Sequence, residues 1–228
     1  MIVVLGGRHD PVAAGLVAAW PDAGLCSAED LCAPGWVWHA GGATGTRQWI
    51  VQGRAVADSA VSGVFVARSA VHAAELRHTD PRDRSYLAAE VSAFVACLLA
   101  STSARVSTPV VDGAFGDASL RPERWMPLAE RWGLSPAPVR LARVARSPVP
   151  AWQARTLEVV EGACFGPGGE RLAASRREGA IAMVAELGLA WARLVFDGAA
   201  RLRCIGTQTL PGAEARAALG RALLEPAT

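Results

Sequence analysis

The chain has 228 residues, enough to bury one large core or two smaller ones. Apolar residues make up 51% and charged residues 19%, with a formal net charge of +2, a balance that excludes the strongly basic footprint of a nucleic-acid-binding protein. All 23 basic residues are arginines, so no side chain can form a Schiff base or set a compact ammonium against a phosphate; guanidinium is the only strong cation available.

The chain opens on the apolar run Met1–Leu5, a strand, followed at once by Gly6-Gly7. This run is too short for a signal peptide and lacks a basic start. With no charge-free apolar stretch long enough to span a bilayer, a cytoplasmic protein without membrane association is expected. Asp10-Pro11 predicts a helix start, cap then first-turn proline, leading into VAAGLVAAW. Strand, tight turn and helix together resemble the first unit of a doubly wound sheet. Gly6-Gly7 is a turn and not a dinucleotide fingerprint, because GxGxxG is absent. His9 beside Asp10 invites acid–base chemistry, but a capping role accounts for the aspartate.

Short strands are predicted at Trp36–His39, Gln48–Val51 and Arg54–Val56. The intervening GGATGTR lacks the lysine and following helix of a P-loop, and reads as a hairpin or loop. The five cysteines are scattered with no CxxC; Cys26, Cys32 and His39 could be imagined as a site, but buried free thiols are expected and no metal centre. Val61–Ala67 is a buried-type strand ending at Arg68. His72, His78 and Asp80 are not spaced to face one another on a helix. Asp80-Pro81-Arg82-Asp83 carries helix-start chemistry, and Leu87, Val91, Phe94, Val95 and Leu98 recur at helical spacing, with Glu90 solvated.

An extended segment, Ser101–Val111, precedes a Gly- and Asp-containing connector, Asp112–Ser119, which predicts a domain boundary near residue 116. Beyond it, RPERWMPLAERWG reads as a helix closed by Gly133. Pro136 and Pro138 exclude helix. Arg155–Glu161 reads as a strand, Gly162–Gly169 as a turn-rich stretch, and Arg176–Leu187 as a helix capped by Gly188. Ala190–Phe196 and Arg201–Ile205 read as strands joined at Asp197-Gly198, and Pro211–Leu224 as an amphipathic helix. Trp125, Trp132 and Trp191 suit core or interface anchors, and no GxSxG elbow is present.

Three stretches resemble the ATP-grasp superfamily, in particular its bacterial natural-product branch of peptide and amino-acid ligases. They are VFVARSAVHAAELRHTDPRDRSYLAAEVSAFVACLLA, RPERWMPLAERWGLSPAPV and LGLAWARLVFDGAARLRCIGTQTLPG. The resemblance implies an α/β fold: a doubly wound pre-ATP-grasp-like domain over residues 1–116, then a reduced ATP-grasp-like α+β domain over residues 117–228. Where the family carries an acid on its first closing strand this chain has Val195. Where the second strand carries a Glu and, two residues on, an Asn, it has Gly206 and Gln208. The family's lysines have no counterpart, and the span from Pro138 to Arg155 is too short for one of the family's strand units.

Phosphoryl transfer depends on cations and metal to neutralise developing charge, so the resemblance implies a pseudoenzyme: no catalytic residue, no metal ligand and no cofactor. It would be a binding or scaffolding protein that partners a ligase or takes a peptide or amino-acid substrate such as a precursor peptide, and it could be an oligomer. Arg68, Arg155 and Gln208 are the candidate ligand-binding residues, and Arg140 and Arg143 could also grip a phosphate or carboxylate. The rival expectation is an active ATP- and magnesium-dependent carboxylate–amine ligase, with arginines replacing lysines and the metal held by Asp197 or Glu186.

Overall fold

The computed structural model describes residues 1–39, 47–138, 155–167 and 172–225. The chain forms two compact units: residues 1–119 with 220–228, and residues 120–219.

The first unit is built on β1 (Ile2–Leu5). Asp10 then caps α1 (Pro11–Ala19), its carboxylate accepting the Val12 N–H at 2.8 Å, as the Asp-Pro pair predicts. β2 (Ala23–Cys26) follows, then the one-turn α2 (Ala28–Leu31), started by a Ser27–Asp30 capping box. β3 (Gln48–Val51) and β4 (Arg54–Ala57) form a hairpin. Gln52 and Gly53 both have positive φ, the conformation of a tight two-residue hairpin turn. The chain continues through β5 (Gly63–Val66), the long α3 (Arg84–Ser101) and β6 (Arg105–Val106).

β1, β2, β5 and β6 make a wholly parallel sheet in the order β2-β1-β5-β6, so the order reverses between β1 and β5. Every residue of β1 and β5 is buried, as expected for strands covered on both faces. On one face Val3, Leu5, Val64 and Val66 pack with Trp49 of the hairpin and Val91, Val95 and Leu98 of α3. On the other, Phe65 meets Trp20 edge-on, with ring centroids 5.9 Å apart. Gly63 is required there, because a Cβ would lie 2.4 Å from the Leu223 carbonyl oxygen. α3 is long and apolar enough to cross a membrane by length and composition, yet it buries Ala88, Val91, Val95, Leu98 and Leu99 in this unit.

The second unit begins with α4 (Pro122–Arg131). β7 (Arg155–Val160) and β8 (Ala163–Phe165) turn at Glu161-Gly162, and α5 (Ala174–Glu186) leads to β9 (Trp191–Phe196) and β10 (Leu202–Gly206). The sheet is antiparallel, in the order β10-β9-β7-β8. Leu157, Val159, Ala192, Leu194 and Leu202 form its apolar face, packed with Trp125 and Ala129 of α4 and Ala180, Met183 and Val184 of α5. Gly179 lets α5 approach the Trp132 carbonyl, which a Cβ would meet at 2.1 Å. α6 (Ala213–Leu224) starts in this unit, and its last turn belongs to the first.

The structure departs from the sequence reading at five elements. Trp36–His39 forms no strand; Val37 makes a single bridge to Gln48. The helix expected from Asp80 begins at Arg84, because the Asp80 carboxylate accepts the Arg82 N–H at 2.9 Å and closes a local turn instead. The stretch expected to be turn-rich from Gly162 contains β8. Finally, β2 and α2 were unanticipated. The GGATGTR loop up to Thr46, and Arg140 and Arg143, lie outside the described residues.

Candidate functional site

The register of the antiparallel sheet places Thr156 opposite Val195, Glu158 opposite Arg193, Cys204 opposite Val195 and Gly206 opposite Arg193. These six residues share the face turned away from the helices, so Val195 and Gly206 do meet on one surface. What occupies that surface is an ion pair. Glu158 is buried, and its Oε1 accepts the Arg193 Nε–H at 3.0 Å and a second, shorter bond from Arg193 Nη2. Arg193 also donates to the Leu210 carbonyl at 2.7 Å, and the Gly212 N–H donates to Glu158 Oε2 at 3.0 Å. Trp191 closes the end of the face by donating its indole N–H to the Thr207 carbonyl at 3.1 Å. Together these bonds tie the segment after β10 down onto the sheet.

Neither partner of this pair was singled out from the sequence. The available signal was one charge of opposite sign in each of two otherwise apolar strands, TLEVV and WARLVF. Arg155 pairs with Phe196 and therefore sits on the opposite face from Glu158. Gln208 lies two residues past β10, and Arg68 belongs to the other unit.

The remaining acids considered for a metal are also held by arginine. Asp197 Oδ1 accepts the backbone N–H groups of Ala199 and Arg201, each at 3.0 Å, and its Oδ2 accepts Arg201 Nε–H at 3.0 Å. Glu186 accepts from Arg131 and, at 2.7 Å, from the Trp132 indole. Burial by itself would raise the Asp197 pKa, but the Arg201 backbone N–H, the Arg201 guanidinium and the Ala199 N–H outweigh it and hold the carboxyl below its usual range. A carboxyl depressed in the folded state stabilises the fold above the ordinary carboxylate pKa near 4, and that contribution disappears as pH falls through the folded value. Asp197→Asn is therefore expected to flatten the acid limb of a plot of stability against pH below about pH 4, measured by urea unfolding. An unchanged limb would mean Asp197 contributes nothing to it.

A magnesium ion, which the resemblance to ATP-grasp ligases implies for an active enzyme, requires oxygen donors. Among the described residues, the sheet face that carries Glu158 offers Thr156, Cys204, Val195 and Gly206, and its one carboxylate is engaged by Arg193 and Gly212. This donor set does not fit magnesium. Nor do the thiols suggest a nucleophile: burial, with the charge of Asp30, pushes Cys26 far up, and burial raises Cys32 and Cys164. Only Cys26 is buried as expected of a structural thiol; Cys32 and Cys164 are half-buried, Cys97 and Cys204 are exposed, and none of the five forms a disulfide.

In the first unit a cleft of about 560 Å³ opens at the carboxyl ends of the parallel strands. Gly7 to Asp10 follow β1, Glu29 follows β2, and Glu75, Arg77 and His78 follow β5. This is the point where strand order reverses, the usual ligand crevice of open parallel sheets. Arg68 braces it from beneath. Its guanidinium bonds to Glu75, to the Ala70 carbonyl at 2.9 Å and to the Gly6 carbonyl at 3.4 Å, and only 7% of the residue is exposed.

No known family profile matches the chain, and no curated protein matches it in sequence. Solved structures do match in fold. The macrocyclase MdnC from Microcystis aeruginosa, bound with precursor peptide MdnA, superposes with a TM-score of 0.69 at 12% identity, covering 99% of this chain and 100% of that one. The ATP-grasp ligase PsnB, complexed with minimal precursor, magnesium and ADP, gives 0.65 at 13% identity, covering 98% and 97%. A Chryseobacterium gregarium RiPP-associated ATP-grasp ligase, in complex with ADP and a leader and core peptide, gives 0.63 at 8%, covering 97% and 96%. The fold is ATP-grasp-like.

Proposed function

We propose that this chain is a non-catalytic ATP-grasp-like protein that binds a peptide or amino-acid substrate, or a ligase partner, in natural-product biosynthesis. The observation that carries the reading is the Glu158–Arg193 pair. Among the described residues, the one acid on that sheet face has both oxygens bonded to protein donors, so no described carboxylate there is left to hold a hard cation. Asp197 and Glu186, acids that an active ligase could recruit instead, are committed to Arg201 and to Arg131 with Trp132. The peptide half of the reading is supported by the fold relatives, which were crystallised with precursor peptides.

The test is nucleotide turnover by the purified chain with ATP and magnesium, with and without the precursor peptide MdnA, read as phosphate release. No release above a protein-free control is expected, while titration calorimetry with the peptide alone gives saturable binding. Magnesium-dependent turnover by the chain on its own would overturn the proposal in favour of an arginine-based ligase.

A further inference from the structure

We propose that the cleft at the strand-order reversal of the parallel sheet is an anion site for a small molecule bearing a carboxylate or phosphate. Its ionisable groups divide into two sets. The acids already have partners in the protein. Asp10 caps α1 through the Val12 N–H, and Glu75 accepts from Arg68 and, at 2.9 Å, from the His72 N–H. Glu29 is held below the usual carboxylate range by its own backbone N–H and the Ser27 side chain, with smaller contributions from the nearby charges of Arg8 and His78.

The bases are in the opposite condition. The side chains of Arg8, His9, Arg77 and His78 line the same cleft and make no hydrogen bond or ion pair with the described residues. Arg8, from the loop after β1, acts on Glu29 through its charge and not through a hydrogen bond, and it and Arg77, from the loop after β5, present planar forks suited to carboxylate or phosphate oxygens.

The walls are fixed before any ligand arrives. Arg68 bonds both to Gly6, beneath the first loop, and to Glu75, beneath the second. Preorganisation of this kind spares a ligand the cost of ordering the loops. The site is independent of the nucleotide and metal behaviour of the second unit, so its failure and the failure of the proposed function are separable.

The experiment is calorimetric titration of the full chain at low ionic strength with inorganic phosphate and, separately, with succinate. Saturable binding of at least one is expected, and the one preferred identifies the anionic group. Arg8→Ala and Arg77→Ala should each weaken binding by about tenfold or more, as expected for a lost charge-assisted contact. Arg54→Ala, an exposed arginine on the hairpin, should leave it unchanged. Both cleft arginines are exposed, so these variants should retain the wild-type circular dichroism spectrum. Absence of saturable binding by either probe, or affinity undiminished in the Arg8→Ala/Arg77→Ala double variant, would overturn the assignment.

Discussion

Glu158→Ala is expected to lose about 3–5 kcal/mol of stability, the cost of leaving one member of a buried ion pair uncompensated. Arg193 would keep its bond to the Leu210 carbonyl but lose both bonds to the carboxylate, and the Gly212 N–H would lose its acceptor. The damage is expected to spread to the segment between β10 and α6, which those bonds hold against the sheet. Urea unfolding followed by tryptophan fluorescence measures the loss, and Trp191 reports on it directly because its indole bonds to Thr207 in the same segment. A double replacement, Glu158→Met with Arg193→Leu, is expected to recover most of the stability, since an apolar pair of similar volume removes both desolvation costs. A loss under about 0.5 kcal/mol for Glu158→Ala would show that the pair behaves as an exposed contact.

Arg68→Leu is expected to have an effect of similar size in the first unit, about 3 kcal/mol or more. Arg68 is nearly inaccessible, and its guanidinium joins Glu75, Ala70 and Gly6, so its removal unties the loop after β5 from the loop after β1. The variant also separates a bracing role from a ligand-contacting one. A brace predicts lower stability together with weakened phosphate or succinate binding. A contact residue predicts weakened binding at wild-type stability, and that second result would contradict the geometry described above.

Local signals in the sequence were reliable where the chemistry is local. Asp10-Pro11 capped its helix, Gly133 and Gly188 stand at helix ends with positive φ, and the helical spacing of Val91, Val95 and Leu98 marked the buried stripe of α3. β2 was illegible because four residues containing a glycine carry little strand preference of their own. Gly24 is there for packing, since a Cβ would lie 2.7 Å from Val51 Cγ1, and the strand exists because β1 pairs with it. Asp80 misled because the same carboxylate that caps helices also closes turns.

The candidate sites divide in the same way. The absence of donors at Val195 and Gly206 can be read directly from residue identity. The Glu158–Arg193 pair cannot, because it depends on the register of strands 35 residues apart. The cleft is harder still. His9 and His78 carry no shared motif, and only the parallel pairing of β1 with β5 brings their loops together.

The last turn of α6 covers a sheet made by the beginning of the chain, and this fixes an order of events during synthesis. When residue 119 has left the ribosome, β1, β5 and β6 can pair, but the side of the sheet carrying Gly63 lacks its cover until Leu223 emerges about a hundred residues later. Trp20 waits in the same way for Gly220, whose missing side chain lets the helix lie on its indole ring. The unit whose sheet is made first is thus covered last, once Leu223 has been added, whereas residues 120–219 have their whole core in hand earlier.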